Sequence, residues 1–249
     1  MKKQIRFFIT VFIILSYLNQ VGAQTAITSK QVNKQSQAWL SINSTIRFSK
    51  KWGMVADAHY KSTDFMAKPS FYFLRTGVNY WLKDNISFTL GIAKLWSVPT
   101  TANGQHYAVE NRIYQQIQIA TKLGKMNILN RLRNEQRWQE KIVNDQFTGE
   151  YKFTDRIRYL FSIATPFFKN PHYPSLVLSD EILIQMGKEV VYNTFDQNRF
   201  FIGLRQPINH NLSFDIGYME VFQQKARGYQ YDKNQTLRLF FYYTPDCRK

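Results

Sequence analysis

The chain has 249 residues, 33 basic against 17 acidic side chains for a formal net charge of +16, 16% aromatic residues and one cysteine, Cys247. A lone cysteine excludes an intrachain disulfide and a thiolate metal cluster. A mean hydropathy of −0.39, with no long apolar stretch beyond the N-terminal region, excludes a helical membrane protein. It does not exclude a membrane β-barrel, whose strands alternate apolar and polar residues and so average out on any hydropathy scale.

The N-terminus reads as an export signal. Lys2, Lys3 and Arg6 precede an almost unbroken apolar run from Phe7 to Leu18, and Val21-Gly22-Ala23 offers small residues at the cleavage position. The run is shorter than the roughly 20 residues a transmembrane helix needs. Residues 1–23 are therefore expected to be a signal peptide, and 24–249 one exported domain. The residue after the cleavage point is Gln24 rather than a cysteine, which argues against a lipoprotein. Without Lys2, Lys3 and Arg6 the mature chain keeps 30 basic against 17 acidic residues, a charge of +13. A basic surplus points to anionic partners. For an exported chain these are outer-membrane lipid, including lipopolysaccharide, and small anionic solutes rather than nucleic acid.

Period-two alternation then recurs along the mature chain. In 85–97, Ile86, Phe88, Leu90 and Ile92 share one face, with Ser87, Thr89, Gly91 and Ala93 on the other. In 37–48, Leu40, Ile42, Ile46 and Phe48 oppose Trp39, Ser41, Asn43, Thr45 and Arg47. Eleven such segments are predicted: 36–48, 52–64, 71–82, 85–97, 110–122, 126–139, 151–165, 175–187, 198–206, 211–222 and 235–244. The connections alternate between short turns, such as Lys83-Asp84 and Gly124-Lys125, and longer polar stretches, such as 98–109, 140–150, 187–197 and 223–234. Short turns on a periplasmic rim and long extracellular loops on the other describe a transmembrane antiparallel β-barrel. Both the first and the last segment run towards the short-turn rim. Because bacterial barrels favour even strand numbers, either Thr25 to Val32 forms an extra strand or that segment threads up through the lumen; twelve strands are expected, with ten if two of the segments are loop hairpins.

If the apolar faces meet lipid, the opposite faces line the interior. Arg75, Arg112, Arg131, Arg133, Glu135, Arg137, Arg156, Arg158, Glu181, Arg199, Arg205 and Asp215 are then expected in the lumen, because a charge at the bilayer midplane costs about 2–4 kcal/mol. These groups serve either as an internal network of ion pairs that locks the strands or as the lining of an anion-attracting conduit. Asp57 and His59, two residues apart on one face, are the one pair that could orient an imidazole for hydrolysis of lipid or peptide. No matching nucleophile motif accompanies them. His106, His172 and His210 fall in connections, and no two histidines are spaced for a metal. No metal and no cofactor is expected. Trp52, Tyr60, Tyr72, Tyr80, Trp81, Trp96, Trp138, Tyr151, Tyr218 and Tyr243 lie near strand ends, as an interfacial aromatic girdle would. Gly203 and Gly217, inward on adjacent strands, mark tight bends or close packing in the lumen rather than a ligand contact.

The segment Arg131-Leu132-Arg133-Asn134-Glu135-Gln136-Arg137 resembles a hallmark of the DUF2490 family, exported barrels common in Bacteroidetes. So do Asp196 to Leu204, Asn209 to Met219 and the upstream Ser179-Asp180-Glu181. The resemblance implies an outer-membrane barrel of unassigned function, inserted by the outer-membrane assembly machinery, and carries no active-site residues with it. One departure from outer-membrane barrels is that the aromatic run Phe240 to Tyr243 is followed by Thr244 to Lys249 rather than ending the chain.

Overall fold

A computed structural model describes residues 29–99, 104–170 and 172–248. The proposed signal peptide lies outside these residues, as does 25–28 of the proposed extra strand. Eleven strands make up the fold: β1 Gln31–Arg47, β2 Trp52–Thr63, β3 Lys68–Lys83, β4 Ile86–Ser97, β5 Ala108–Leu123, β6 Met126–Val143, β7 Gln146–Pro166, β8 Ser175–Met186, β9 Phe195–Pro207, β10 Leu212–Gln224 and β11 Gln230–Tyr243. Each overlaps one of the eleven segments of alternating residues. The described residues contain no helix.

Consecutive strands pair antiparallel, and β1 closes the barrel against β11 in parallel, from Gln31 opposite Gln230 to Ser44 opposite Tyr243. The expected counts of twelve and ten are thus replaced by eleven among the described residues. The reason is topological. When every strand reverses its predecessor, the eleventh runs in the same sense as the first. The two can then meet only in parallel, where evenly spaced, slanted hydrogen bonds satisfy both edges. The closed ring leaves no edge for a twelfth strand.

The alternation becomes an inside and an outside. On β4, Ser87, Thr89 and Ala93 are buried, while Leu90 and Ile92 are 60% and 61% exposed. On β6, Arg133 and Glu135 are each 2% exposed, and Leu132 between them is 48% exposed. Polar and charged groups fill the interior, and apolar side chains cover the outside. A small aromatic and aliphatic cluster of Trp39, Ala164, Val177, Phe201, Met219 and Val221, flanked by Phe71 and Phe240, completes the interior. Tyr114, 1% exposed, lies across Gly77 and Gly91. A β-carbon at Gly91 would fall within 3 Å of the Tyr114 ring, so only glycine lets this ring lie flat on the inner wall.

The two rims are less unequal than the sequence predicts. Residues 140–150 were expected to form a loop, but β6 runs on to Val143 and β7 begins at Gln146. They are joined at Asn144 and Asp145, with φ of 51° and 56°, the paired left-handed conformation that suits a two-residue hairpin. The pairing of β5 with β6 ends at Glu110 and Gln139, and that of β7 with β8 at Asp155 and Met186. The β6–β7 hairpin therefore extends beyond its neighbours. Similarly, β10 and β11 continue into the expected 223–234 loop. Polar composition does not end a strand whose backbone bonds are already satisfied by its partner. At the opposite rim, the residues after β11 run on beside β1: the Arg47 N–H donates to the Pro245 carbonyl at 3.2 Å, and the Cys247 N–H to the Arg47 carbonyl at 2.8 Å.

Candidate functional site: a charged barrel interior

The inner wall encloses a cavity of about 710 Å³ lined by side chains from all eleven strands. Arg75 (β3), Arg112 (β5), Arg131, Arg133 and Arg137 (β6), Arg156 and Arg158 (β7), Glu181 (β8), Arg199 and Arg205 (β9) and Asp215 (β10) line it. Glu135 is buried among them. Period-two geometry explains the density: three consecutive inward positions of β6 carry Arg131, Arg133 and Glu135, and two adjacent inward positions of β7 carry Arg156 and Arg158.

Two carboxylates organise the middle of the network. Glu135 accepts from Arg156 Nε and Nη2 at 3.0 and 2.5 Å and from Arg158 Nη1 at 2.8 Å. The guanidinium groups of Arg112 and Arg133 lie 3.5 Å away. Glu181 accepts from Arg158 at 2.9 Å through both oxygens, from Arg131 at 2.7 Å and from Arg199 at 3.4 Å. Nearer one end, Asp215 accepts two bonds from Arg205, at 2.6 and 2.9 Å, and one from Arg238 at 3.4 Å. Bidentate arginine–carboxylate pairs of this kind fix geometry as well as charge. Aromatic rings cover several guanidinium faces: Arg199 lies 5.0 Å from the Trp39 ring, Arg112 5.1 Å from Phe73, and Arg238 4.0 Å from Phe201. Stacking occupies the planes and leaves the N–H edges for acceptors.

Four members of the network were not identified from sequence as charge partners. Glu110 accepts from Arg137 at 2.9 Å through both oxygens and from Arg112 at 2.5 Å. It stands two residues before Arg112, so the parity that puts Arg112 inside already put Glu110 there. Arg238 shares its inward face with Thr236 and Tyr242, again by parity. Asp57 stands directly opposite Arg75 in the β2–β3 register and accepts its hydrogen bond. Asp196 had no such signal. The register of β8 with β9 shifts between Leu183 opposite Gln197 and Ile184 opposite Phe195. Asp196 is the extra residue, and this bulge turns it inward to accept from Arg156 at 2.9 Å. Together, ten arginines face six carboxylates, four more guanidinium groups than carboxylates, and the buried Lys61 side chain lines the same cavity.

A family profile described as "Protein of unknown function (DUF2490)" matches residues 36–232. The chain belongs to this family. No curated protein and no solved structure matches it. The matched span of this DUF2490 chain runs from within β1 to within β11, so it takes in nearly the whole charged interior.

The Asp57/His59 pair is not assembled as a relay. Asp57 is engaged by Arg75, and His59 Nδ1 accepts instead from Trp39 Nε1 at 3.3 Å. His59 Nε2 has no partner among the described residues. His59 packs edge-on against Trp39, Phe73 and Phe240, with ring centroids 6.0, 5.2 and 5.7 Å away. His106 contacts Asp145, while His172 and His210 lie in the 167–174 and 208–211 connections. Among the described residues, no three His, Cys, Asp or Glu side chains gather as a metal set would require. Of the proposed girdle, Trp52, Tyr72, Tyr151, Tyr218 and Tyr243 are exposed, and Trp52 and Tyr80 pack at 4.9 Å. Trp81 is an exception: it lines the cavity, with Arg47 over its ring at 4.7 Å.

Proposed function

We propose that this protein is an outer-membrane β-barrel of a diderm bacterium whose arginine-rich interior acts as a narrow, anion-preferring conduit. The observation that carries this reading is the inversion of the usual burial pattern. Leu74, Val78, Leu90 and Ile92 are more than half exposed, while Arg133, Glu135 and Asp215 are at most 2% exposed. In water the apolar exterior would be an aggregation surface. In a bilayer it is the favoured one, and closure of the sheet satisfies every backbone edge that hydrocarbon cannot. The signal-like N-terminus supplies the route of export, and lipid including lipopolysaccharide would surround the exposed belt. The anion preference follows from the surplus of four guanidinium groups over carboxylates in a confined, low-dielectric space, which raises the local anion concentration.

Two measurements test it. Cell fractionation should find the protein in the detergent-soluble envelope fraction, and release by osmotic shock alone would remove the membrane reading. In planar bilayers under a KCl gradient, the purified protein should give small conductance steps with a reversal potential of the anion-selective sign. Absence of conductance, or cation selectivity, removes the conduit.

A further inference from the structure

We infer that Arg75, Arg131 and Arg133 form a binding site for a compact oxyanion of the phosphate or sulfate class inside the barrel. The inference rests on the proposal that solutes reach this interior.

Three observations converge. First, the three guanidinium groups line one cavity. Arg75 and Arg133 lie 5.4 and 5.1 Å from the Tyr114 centroid, and Arg131 is the next inward residue to Arg133 along β6. Second, their carboxylates are shared with other arginines. Glu135 reaches Arg133 only at 3.5 Å and is bound more closely by Arg156 and Arg158. Glu181, the partner of Arg131, also serves Arg158 and Arg199. Only Asp57, on Arg75, serves a single arginine. Third, two N–H donors in this group have no acceptor: the Nε atoms of Arg75 and Arg131 are both buried and unpartnered. A buried donor left unpaired costs more than the bond itself would contribute, so two such donors beside a positive surplus describe an incomplete shell. A tetrahedral oxyanion supplies what is missing, because its several oxygens accept from more than one guanidinium edge at once. The Tyr114 ring, seated on Gly77 and Gly91, fixes the floor on which Arg75 and Arg133 rest.

The test is isothermal titration of inorganic phosphate into the full-length exported chain in non-ionic detergent at low chloride, with sulfate as competitor. The expected result is saturable binding displaced by sulfate. Each of Arg75→Gln and Arg131→Gln should weaken it at least about tenfold, the loss of one hydrogen bond to a charged group. Arg248→Gln, whose side chain pairs with Asp246 outside the cavity, should leave it unchanged. Arg75→Lys and Arg131→Lys keep the charge but remove the Nε–H, so they should also weaken binding in protein shown to be folded by circular dichroism. A parallel titration with short-chain phosphatidic acid identifies the source: binding of the lipid alone, lost in Arg131→Gln, assigns the site to a headgroup. Failure of both probes to saturate, or equal affinity in all variants, overturns the site. A barrel that conducts anions without binding phosphate keeps the conduit and loses the site, and one that binds phosphate without conducting does the reverse.

Discussion

Replacing Glu135 by Gln removes one negative charge from the most heavily shared carboxylate in the barrel. Arg156 and Arg158 donate to it within 2.5–3.0 Å, and Arg112 and Arg133 stand 3.5 Å away. Gln keeps the shape but turns one acceptor into a donor aimed at guanidinium donors. At an effective dielectric of about 20, each close unit-charge contact is worth roughly 5 kcal/mol before solvation is counted. The measured cost of breaking a buried pair is about 3–5 kcal/mol, because the surviving charge is left uncompensated. Glu135→Gln should fall in that range. Arg133→Gln makes the contrasting case. It removes a guanidinium whose carboxylate contact is long and whose close bonds go to Gln116, and it leaves Glu135 with three other arginines. Its cost should be about 1 kcal/mol, so the two variants should differ by about 2 kcal/mol or more. Urea unfolding of the detergent-folded protein, followed by tryptophan fluorescence, measures both. If Glu135→Gln costs no more than Arg133→Gln, the interior does not carry the positive surplus argued for it.

Three further substitutions probe separate parts of the structure. Leu90→Arg, at an outward position 60% exposed, should cost about 2–4 kcal/mol on folding into liposomes, whereas at a water-facing position it would change stability by less than about 0.5 kcal/mol. Gly91→Val drives a side chain into the Tyr114 ring and should cost about 1–3 kcal/mol through overpacking, seen as a smaller folded, heat-modifiable fraction on gels. The Asp145 carboxyl accepts from the Gln105 and His106 backbone N–H groups at 2.9 and 3.2 Å, and these bonds, that of Gln105 foremost, hold it below the usual carboxylate range. A depressed value means the contribution of the tie between hairpin tip and β4–β5 connection is complete above the ordinary carboxylate pKa of about 3.9 and is lost as pH falls from there through the depressed value. Limited proteolysis near Gln105 at neutral pH should accelerate in Asp145→Asn, and equal rates would show that the tie contributes nothing.

Much of this barrel was legible because a strand has only two faces. Once Leu90 and Ile92 are assigned outward, parity alone assigns Ser87, Thr89 and Ala93 inward, and on β6 it places Arg131, Arg133 and Glu135 together. Strand number was less legible. Periodicity marks all eleven strands, and the alternation of short and long connections gives the first and last the same direction. The preference for even barrels then called for a twelfth, although a parallel β1–β11 seam resolves the conflict without one. Strand ends were hardest to see. The residues of 140–150 have loop composition, yet backbone pairing carries β6 and β7 through them to a turn whose two positive φ values Asn144 and Asp145 tolerate.

The charge partners show where such reasoning stops. Parity identifies which residues share the interior, but not which of them touch, because contact depends on register. Asp57 meets Arg75 because β2 and β3 pair with those two residues opposed, and the same register separates Asp57 from the imidazole two residues away. Asp196 reaches Arg156 through a bulge that breaks parity altogether. The surplus itself was visible only as an imbalance of arginine over acid. Its physical consequence needs the structure: Glu110, Glu135, Glu181 and Asp215 are already shared among several guanidiniums, so no rearrangement of the same side chains can neutralise the interior. A wall built only to lock strands together would gain stability by exchanging four arginines for neutral residues of similar volume, since buried ion pairs seldom outperform well-packed apolar ones. Keeping those charges, with several planes held on aromatic rings and the Nε–H groups of Arg75, Arg131 and Arg238 without an acceptor, makes sense if anions from outside the protein complete the balance.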